Sequence, residues 1–383
     1  MTEVEAQSKR RGWVVCQRSS NGALVVRKWC HPKQVRVFDS EMFQGPTGPQ
    51  GEQGPQGATG AQGPQGEDGV LGIYGDGSAG DLNLTDVDQL DSADLYHNIV
   101  VPVDANLIIP SGVTIRCTGS FTNNGTIEIE PFAAGAYQSN NDGNFTHLGH
   151  RPAGAGLSFG GAANGAAGTG GGDTIPGAQP TVAISSLTLR SLLSPGPNGG
   201  GGGGALGFTT FELAGVSSVE GGSGGGTLRI ICREGILNNG TISANGTSGV
   251  GIGVGGGAGG VLILASAQQI VNDGLIEANG GAGRSAFRNQ SISGGGGGGG
   301  GLVHLLSPSP DNGTGNITVT GGAGGANDPG GIPPAAASSG GAGGSLAGVG
   351  GAGGAIDADV NAGENGADGL ILMTTVAEPA YLF

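Results

Sequence analysis

The chain has 383 residues, room for two or three domains, with 88 glycines, 19 prolines, 4% aromatic and 12% charged residues. Charge this sparse is unlike an ordinary disordered chain, so order must come from backbone hydrogen bonding and close packing of glycine around thin apolar cores. Residues 1–44 carry eight Lys and Arg against four acids, whereas the remainder carries seven Arg, no Lys and 26 acids. That split argues for different partners at the two ends and against a nucleic-acid-binding body.

Residues 1–44 read as a small β module. GWVVCQR, ALVVRKW and QVRVFDS are three short strand-like runs, and Asn21-Gly22 marks a hairpin between the first two. A core of this size is marginal unless it docks onto something, so the module is read as an attachment domain. Cys16 and Cys30 could face each other across the hairpin, but two free thiols are the favoured reading. Cys117 and Cys232 sit inside apolar runs (TIRCTG and LRIICRE) and read as buried small hydrophobes. No run approaches 18 apolar residues, so no membrane-spanning helix is expected. Trp13–Cys16, after Lys9, Arg10 and Arg11, is too short for a signal peptide.

Residues 45–74 change character. Gly45, Gly48, Gly51, Gly54, Gly57, Gly60, Gly63, Gly66, Gly69 and Gly72 recur at every third place, with Pro at 46, 49, 55 and 64. Only glycine fits the axis of a collagen triple helix, so this spacing predicts three parallel chains and a homotrimeric stalk. At about 3 Å per residue the rod would be roughly 90 Å long.

Residues 75–131 alternate short apolar runs with Asp, Asn, Gly and Pro turns, as a β-solenoid does, with a sandwich as the alternative. Residues 132–383 carry a degenerate repeat in which a glycine run leads into an apolar strand and then an Asn-Gly phrase. The phrases are NNGTIEIE at 123–130, NNGTISANG at 238–246, NDGLIEANG at 272–280 and TGNITVTGG at 314–322. The unit reads as two short strands plus a glycine segment, and units this thin must stack. The eight consecutive glycines 294–301 suit either extended threefold polyglycine helices bonded side by side or flexible connecting loops; several similar runs entering strands favour the helices. The fold expected is therefore mainly β: an attachment module, a collagen-like stalk, and a β-solenoid-like, glycine-rich head.

The stretch from Gly75 to Glu130, with its GDGS opening and NNGTI phrase, resembles a module of phage tail-fibre and collagen-like proteins. The glycine runs over about 199–370 resemble the glycine-rich adhesins of T-even phage fibre tips. That resemblance implies stacked polyglycine helices with receptor-contacting loops between them. This chain departs from those adhesins in carrying its own stalk and attachment module, so a capsid mounting is as compatible as a fibre tip.

No phosphate-loop motif occurs. His147 and His150 form an H-x-x-H without a third ligand, and Asp86 and Asp88 read as solvated turn acids rather than a Ca²⁺ site. No catalytic residue, metal or cofactor is assigned. Contact is expected from loops, where aromatics and Arg act as anchors. Tyr137, Phe145, His147, His150 and Arg151 lie in 136–152, and Arg284, Phe287 and Arg288 lie in 284–293. Residues 327–339, stiffened by Pro333 and Pro334, form a third candidate loop. The expected function is a virion fibre, on tail or capsid and extracellular after release. It would be held by another virion protein through residues 1–44 and meet a host cell-surface glycan or protein through its head. The alternatives are a bacterial cell-surface collagen-like adhesin and a polysaccharide-degrading tailspike.

Overall fold

A computed structural model describes residues 14–32, 34–39, 71–86, 96–132, 134–135, 137–139, 200–204, 218–286, 292–327, 343–344, 346–355 and 361–382. The chain divides into two compact units, Met1–Gly66 and Glu67–Phe383. It is mainly β, and no helix among the described residues is long and apolar enough to cross a membrane.

In the first unit, β1 (Val14–Arg18), β2 (Leu24–Arg27) and β3 (Gln34–Asp39) form an antiparallel sheet in the order β2-β1-β3. The Asn21-Gly22 signal sits at the first turn. There Gly22 takes a φ of 66°, and its N–H donates to the Arg18 carbonyl at 2.9 Å. The favoured reading of free thiols is wrong: Cys16 and Cys30 are disulfide-bonded. The hairpin and the turn after β2 bring their Cα atoms to 5.6 Å, inside the range a disulfide spans. Of the triplet glycines, Gly45 to Gly69 lie outside the described residues. Gly72 lies in a short 3-10 turn, Leu71–Ile73, with open space where a side chain would be.

The second unit is a chain that turns repeatedly past three parallel sheets. β4 (Leu82–Asn83) stands one level before the first complete turn, which runs through β5 (Ile99–Val101), β6 (Asn106–Ile109) and β7 (Val113–Cys117). The second runs through β8 (Ser120–Asn123) and β9 (Thr126–Ile129), and then makes a long excursion. That excursion contains the antiparallel pair β10 (Tyr137–Ser139) and β11 (Ser218–Glu220), and it returns at β12 (Thr227–Cys232). The third is β13 (Gly235–Asn238), β14 (Thr241–Ser243) and β15 (Val261–Ser266); the fourth is β16 (Gln269–Asn272), β17 (Leu275–Glu277) and β18 (Leu302–Ser307). The last is β19 (Asn316–Thr318) and β20 (Leu370–Thr375).

Strands stack in register as β4-β5-β8-β13-β16 on one face, β6-β9-β14-β17-β19 on the second and β7-β12-β15-β18-β20 on the third. Each complete turn thus gives three strands, not two, and from the second turn onward a glycine-rich segment lies between the second strand and the third. The third was missed because the corner Ser266-Ala267-Gln268 between β15 and β16 carries no Gly or Pro.

Apolar patterning sorts the faces. β6 and β9 alternate exposed and buried residues, so one side of that sheet meets water there. β12, β15 and β18 are buried at every position, and their runs TLRIIC, VLILAS and LVHLLS are accordingly almost continuously apolar. Inside, like residues stack in columns: Phe121, Ile236 and Ile270; Ile127, Ile242 and Ile276; Ile115, Ile230, Leu264 and Leu305. Each buried aliphatic contributes about 1.5–3 kcal/mol. The columns stop at β20, where Ile371 and Met373 are exposed because no further turn covers them.

The outer side of the third face is covered by Ile73, Tyr74, Leu346 and the C-terminal residues Val376, Ala380 and Leu382. The Tyr74 hydroxyl donates to Glu378 there, and burial first, then that carboxylate, pushes the phenol pKa far up. Cys117 and Cys232 are in-register neighbours on β7 and β12 and form a second disulfide, correcting the reading of them as plain buried hydrophobes.

From the second turn onward, the step from second face to third face carries a glycine-rich excursion. In 255–260 each N–H bonds a neighbour in a cycle of three. Gly255 and Ala258 donate to Gly204 and Gly201; Gly256 and Gly259 donate to Gly296 and Gly299; Gly257 and Gly260 donate to Thr247 and Ala244, all at 2.7–3.0 Å. The period of three is that of an extended left-handed backbone with lateral rather than internal hydrogen bonds. The run 294–301 is the innermost. A Cβ on Gly294, Gly297 or Gly300 would strike Gly325, Gly322 or Val319. On Gly295, Gly298 or Gly301 it would strike Val254, Gly257 or Gly260, and on Gly296 or Gly299 it would strike Gly351 or Gly348. All these contacts are at 1.9–2.2 Å from a carbonyl oxygen. Eight glycines are required because every side of this run faces backbone.

Candidate functional site

The glycine segments leave β14, β17 and β19 and return to β15, β18 and β20, so each has its reversal at the end away from the sheets. At that end the described residues of successive runs are hydrogen-bonded to one another. Gly295 N–H donates to the Arg284 carbonyl at 3.0 Å, Gly325 N–H donates to the Gly295 carbonyl at 2.7 Å, and Gly363 N–H donates to the Gly325 carbonyl at 2.9 Å. Arg284, Gly295 and Gly325, which lie in or beside 284–293 and 327–339, are therefore neighbours. The eight residues of extended chain from Gly294 to Gly301 put that end about 20 Å from the strands.

The 136–152 segment begins at the same region. Ala134 and Gly135 pack on Gly202 and Gly221, and Tyr137 pairs with Glu220 across β10 and β11. Glu220 in turn bridges Val250. Arg284 is exposed, and its Nε donates to the carbonyl of Gly249, next to Val250. A small apolar cluster of Val219, Ile252, Val254, Ala286 and Ile292 underlies this end. The backbone of Tyr137 and the guanidinium of Arg284 are thus tied to one neighbourhood, although 147 positions separate them in the chain. Phe145, His147, His150, Arg151, Phe287 and Arg288 lie outside the described residues, as does the side chain of Tyr137.

A second feature escaped the sequence reading. Gly75, Asp76, His97, Thr118, Arg233, Glu234 and Gln268 line a hollow of about 650 Å³ at the corner between the third and first faces. His97 Nδ1 lies 3.2 Å from Thr118 Oγ1, and hydrogen bonds from Ser78 hold the Asp76 carboxyl below its usual pKa. Residues 118, 233–234 and 268 come together only because successive corners stack, and nothing local in the sequence signals it. The hollow is polar and lacks an aromatic platform among its lining residues.

Among the described residues no group of three His, Cys, Asp or Glu is placed to hold a metal ion. Asp86 lies among them, and Asp88 does not. Comparison with known protein families, curated proteins and solved structures finds no match to this chain.

Proposed function

We propose that this chain is a homotrimeric virion fibre protein. In this reading residues 1–44 attach it to another virion protein, the Gly-X-Y run from Gly45 winds three chains into a stalk that ends before the 3-10 turn Leu71–Ile73 and the buried Tyr74, and a β-solenoid-like head holds a bundle of polyglycine helices. The bundle presents the loops 136–152, 284–293 and 327–339 to a host cell-surface glycan or protein. One observation supports it above the others: the residues flanking those loops are bonded to one another at one end of the glycine segments, away from the sheets. A scaffold made of backbone is rigid and chemically plain, so recognition falls to what it projects. Three copies would add weak contacts by avidity.

A bacterial cell-surface adhesin is the second reading, and the two disulfides favour it, because disulfides persist in oxidising compartments. An antibody against residues 218–286, applied to intact producing cells and to purified phage particles, separates the two. Label on particles alone supports the fibre; label on cell surfaces without particles overturns it. Sedimentation equilibrium of the full chain tests the trimer, and a monomer would overturn the stalk.

A further inference from the structure

The described part of the first unit has little interior of its own. Among its described side chains, Cys16 is the one fully buried hydrophobe, while Leu24, Val26 and Trp29 are 59%, 62% and 71% exposed. Leu24 and Val26 stand on one side of the edge strand β2, opposite Gln17 and Val15 of β1. An isolated three-stranded sheet with this much apolar surface in water is not expected to hold a unique structure.

Chain length says what covers it. β3 ends at Asp39 and the Gly-X-Y run begins at Gly45, so five residues, spanning at most about 20 Å from Asp39 to Gly45, tether the sheet to that run. If three chains wind together from Gly45, three copies of the sheet are held within reach of one another at millimolar effective concentration or above. We infer that the face of each copy carrying Leu24 and Val26 packs against the same face of the other two copies. This makes the first unit a trimerisation cap that sets the register of the Gly-X-Y run. The inference rests on the trimeric reading and adds to it where the three chains first meet. It also gives the weak run, with no Pro at the third triplet position, a folded nucleus from which to wind.

The test uses the full chain with V26C. Both pairs of native cysteines are joined, so the introduced thiol is the single reactive one. Mild oxidation and a denaturing, non-reducing gel should then show up to about two thirds of the chains as covalent dimers, since one bond links two of three symmetric copies. R27C, on the opposite side of β2, should remain monomeric under the same treatment, and the V26C thiol should react with a maleimide at least tenfold more slowly than the R27C thiol. L24C serves if V26C fails to fold. A trimer by sedimentation whose V26C thiol neither crosslinks nor resists the maleimide overturns the inference and leaves the stalk standing. Protection of that thiol only on assembled particles would assign the face to another virion protein, and also overturns it. A monomer by sedimentation overturns the trimeric reading itself.

Discussion

Asn123 and Asn238, 115 residues apart in the chain, are both fully buried and joined by a 2.8 Å hydrogen bond from Asn123 Nδ2 to Asn238 Oδ1. Asn238 Nδ2 donates in turn to Asn272 Oδ1 at 2.8 Å and to the Leu275 carbonyl at 3.2 Å. The three amides form a ladder at the end of the first-face strands, and each satisfies polar groups that the stacked turns would otherwise bury unpaired.

Asn238→Ala should therefore destabilise the head by about 2–3 kcal/mol, because it strands buried polar groups on both neighbours. Asn239→Ala removes only an exposed side-chain bond to Asn124 and should cost less than about 1 kcal/mol. Denaturant midpoints of the two variants check the contrast; equal effects would contradict the ladder.

Gly298→Ala places a methyl 2.0 Å from the Gly257 carbonyl oxygen, and backbone on every side prevents relief. The expected cost is at least about 3 kcal/mol, with protease cleavage appearing in 284–301. Gly235→Ala meets nothing nearer than 3.6 Å and should be near neutral. Thermal unfolding of both variants decides between a packed run and a mere connector.

His304 is fully buried on the outer side of β18, its Nε2 2.8 Å from Thr374 Oγ1 and its Nδ1 without a protein partner. Burial lowers its pKa from the ordinary 6.5 to about 4. Arg229, on the same side of the sheet two strands away, is a further cation that would oppose its charging. Below pH 6.5 the unfolded chain takes up a proton that the folded head refuses. Stability is therefore full above that pH and falls progressively as the pH drops toward 4. His304→Leu should flatten the thermal midpoint across this window, and an unchanged slope would place the acid sensitivity elsewhere.

Removing the Cys117–Cys232 bridge frees a loop of more than a hundred residues in the unfolded state. Cys117→Ala with Cys232→Ala should cost about 5 kcal/mol on the loop-entropy argument. A matching drop in the unfolding midpoint on reduction of the native chain, absent in the double variant, would confirm the bond; no difference would refute it.

Local chemistry alone specified the strands, the Asn21-Gly22 hairpin and the repeated Asn-Gly phrases, because β-branched runs and turn residues act over a few positions. The same logic made 294–301 a candidate packing surface beside the alternative of a flexible connector, since several similar runs enter strands and glycine lets backbones approach closely. What needed the tertiary structure was every relationship across the excursions. The pairing of Cys117 with Cys232, the asparagine ladder, the third strand of each turn and the hollow at Arg233 depend on how successive turns align. Excursions of unequal length, 132–226 against 244–260, erase any fixed period by which stacking partners could be found. Side chains that touch only after the chain has turned full circle leave no mark on their immediate neighbours in sequence.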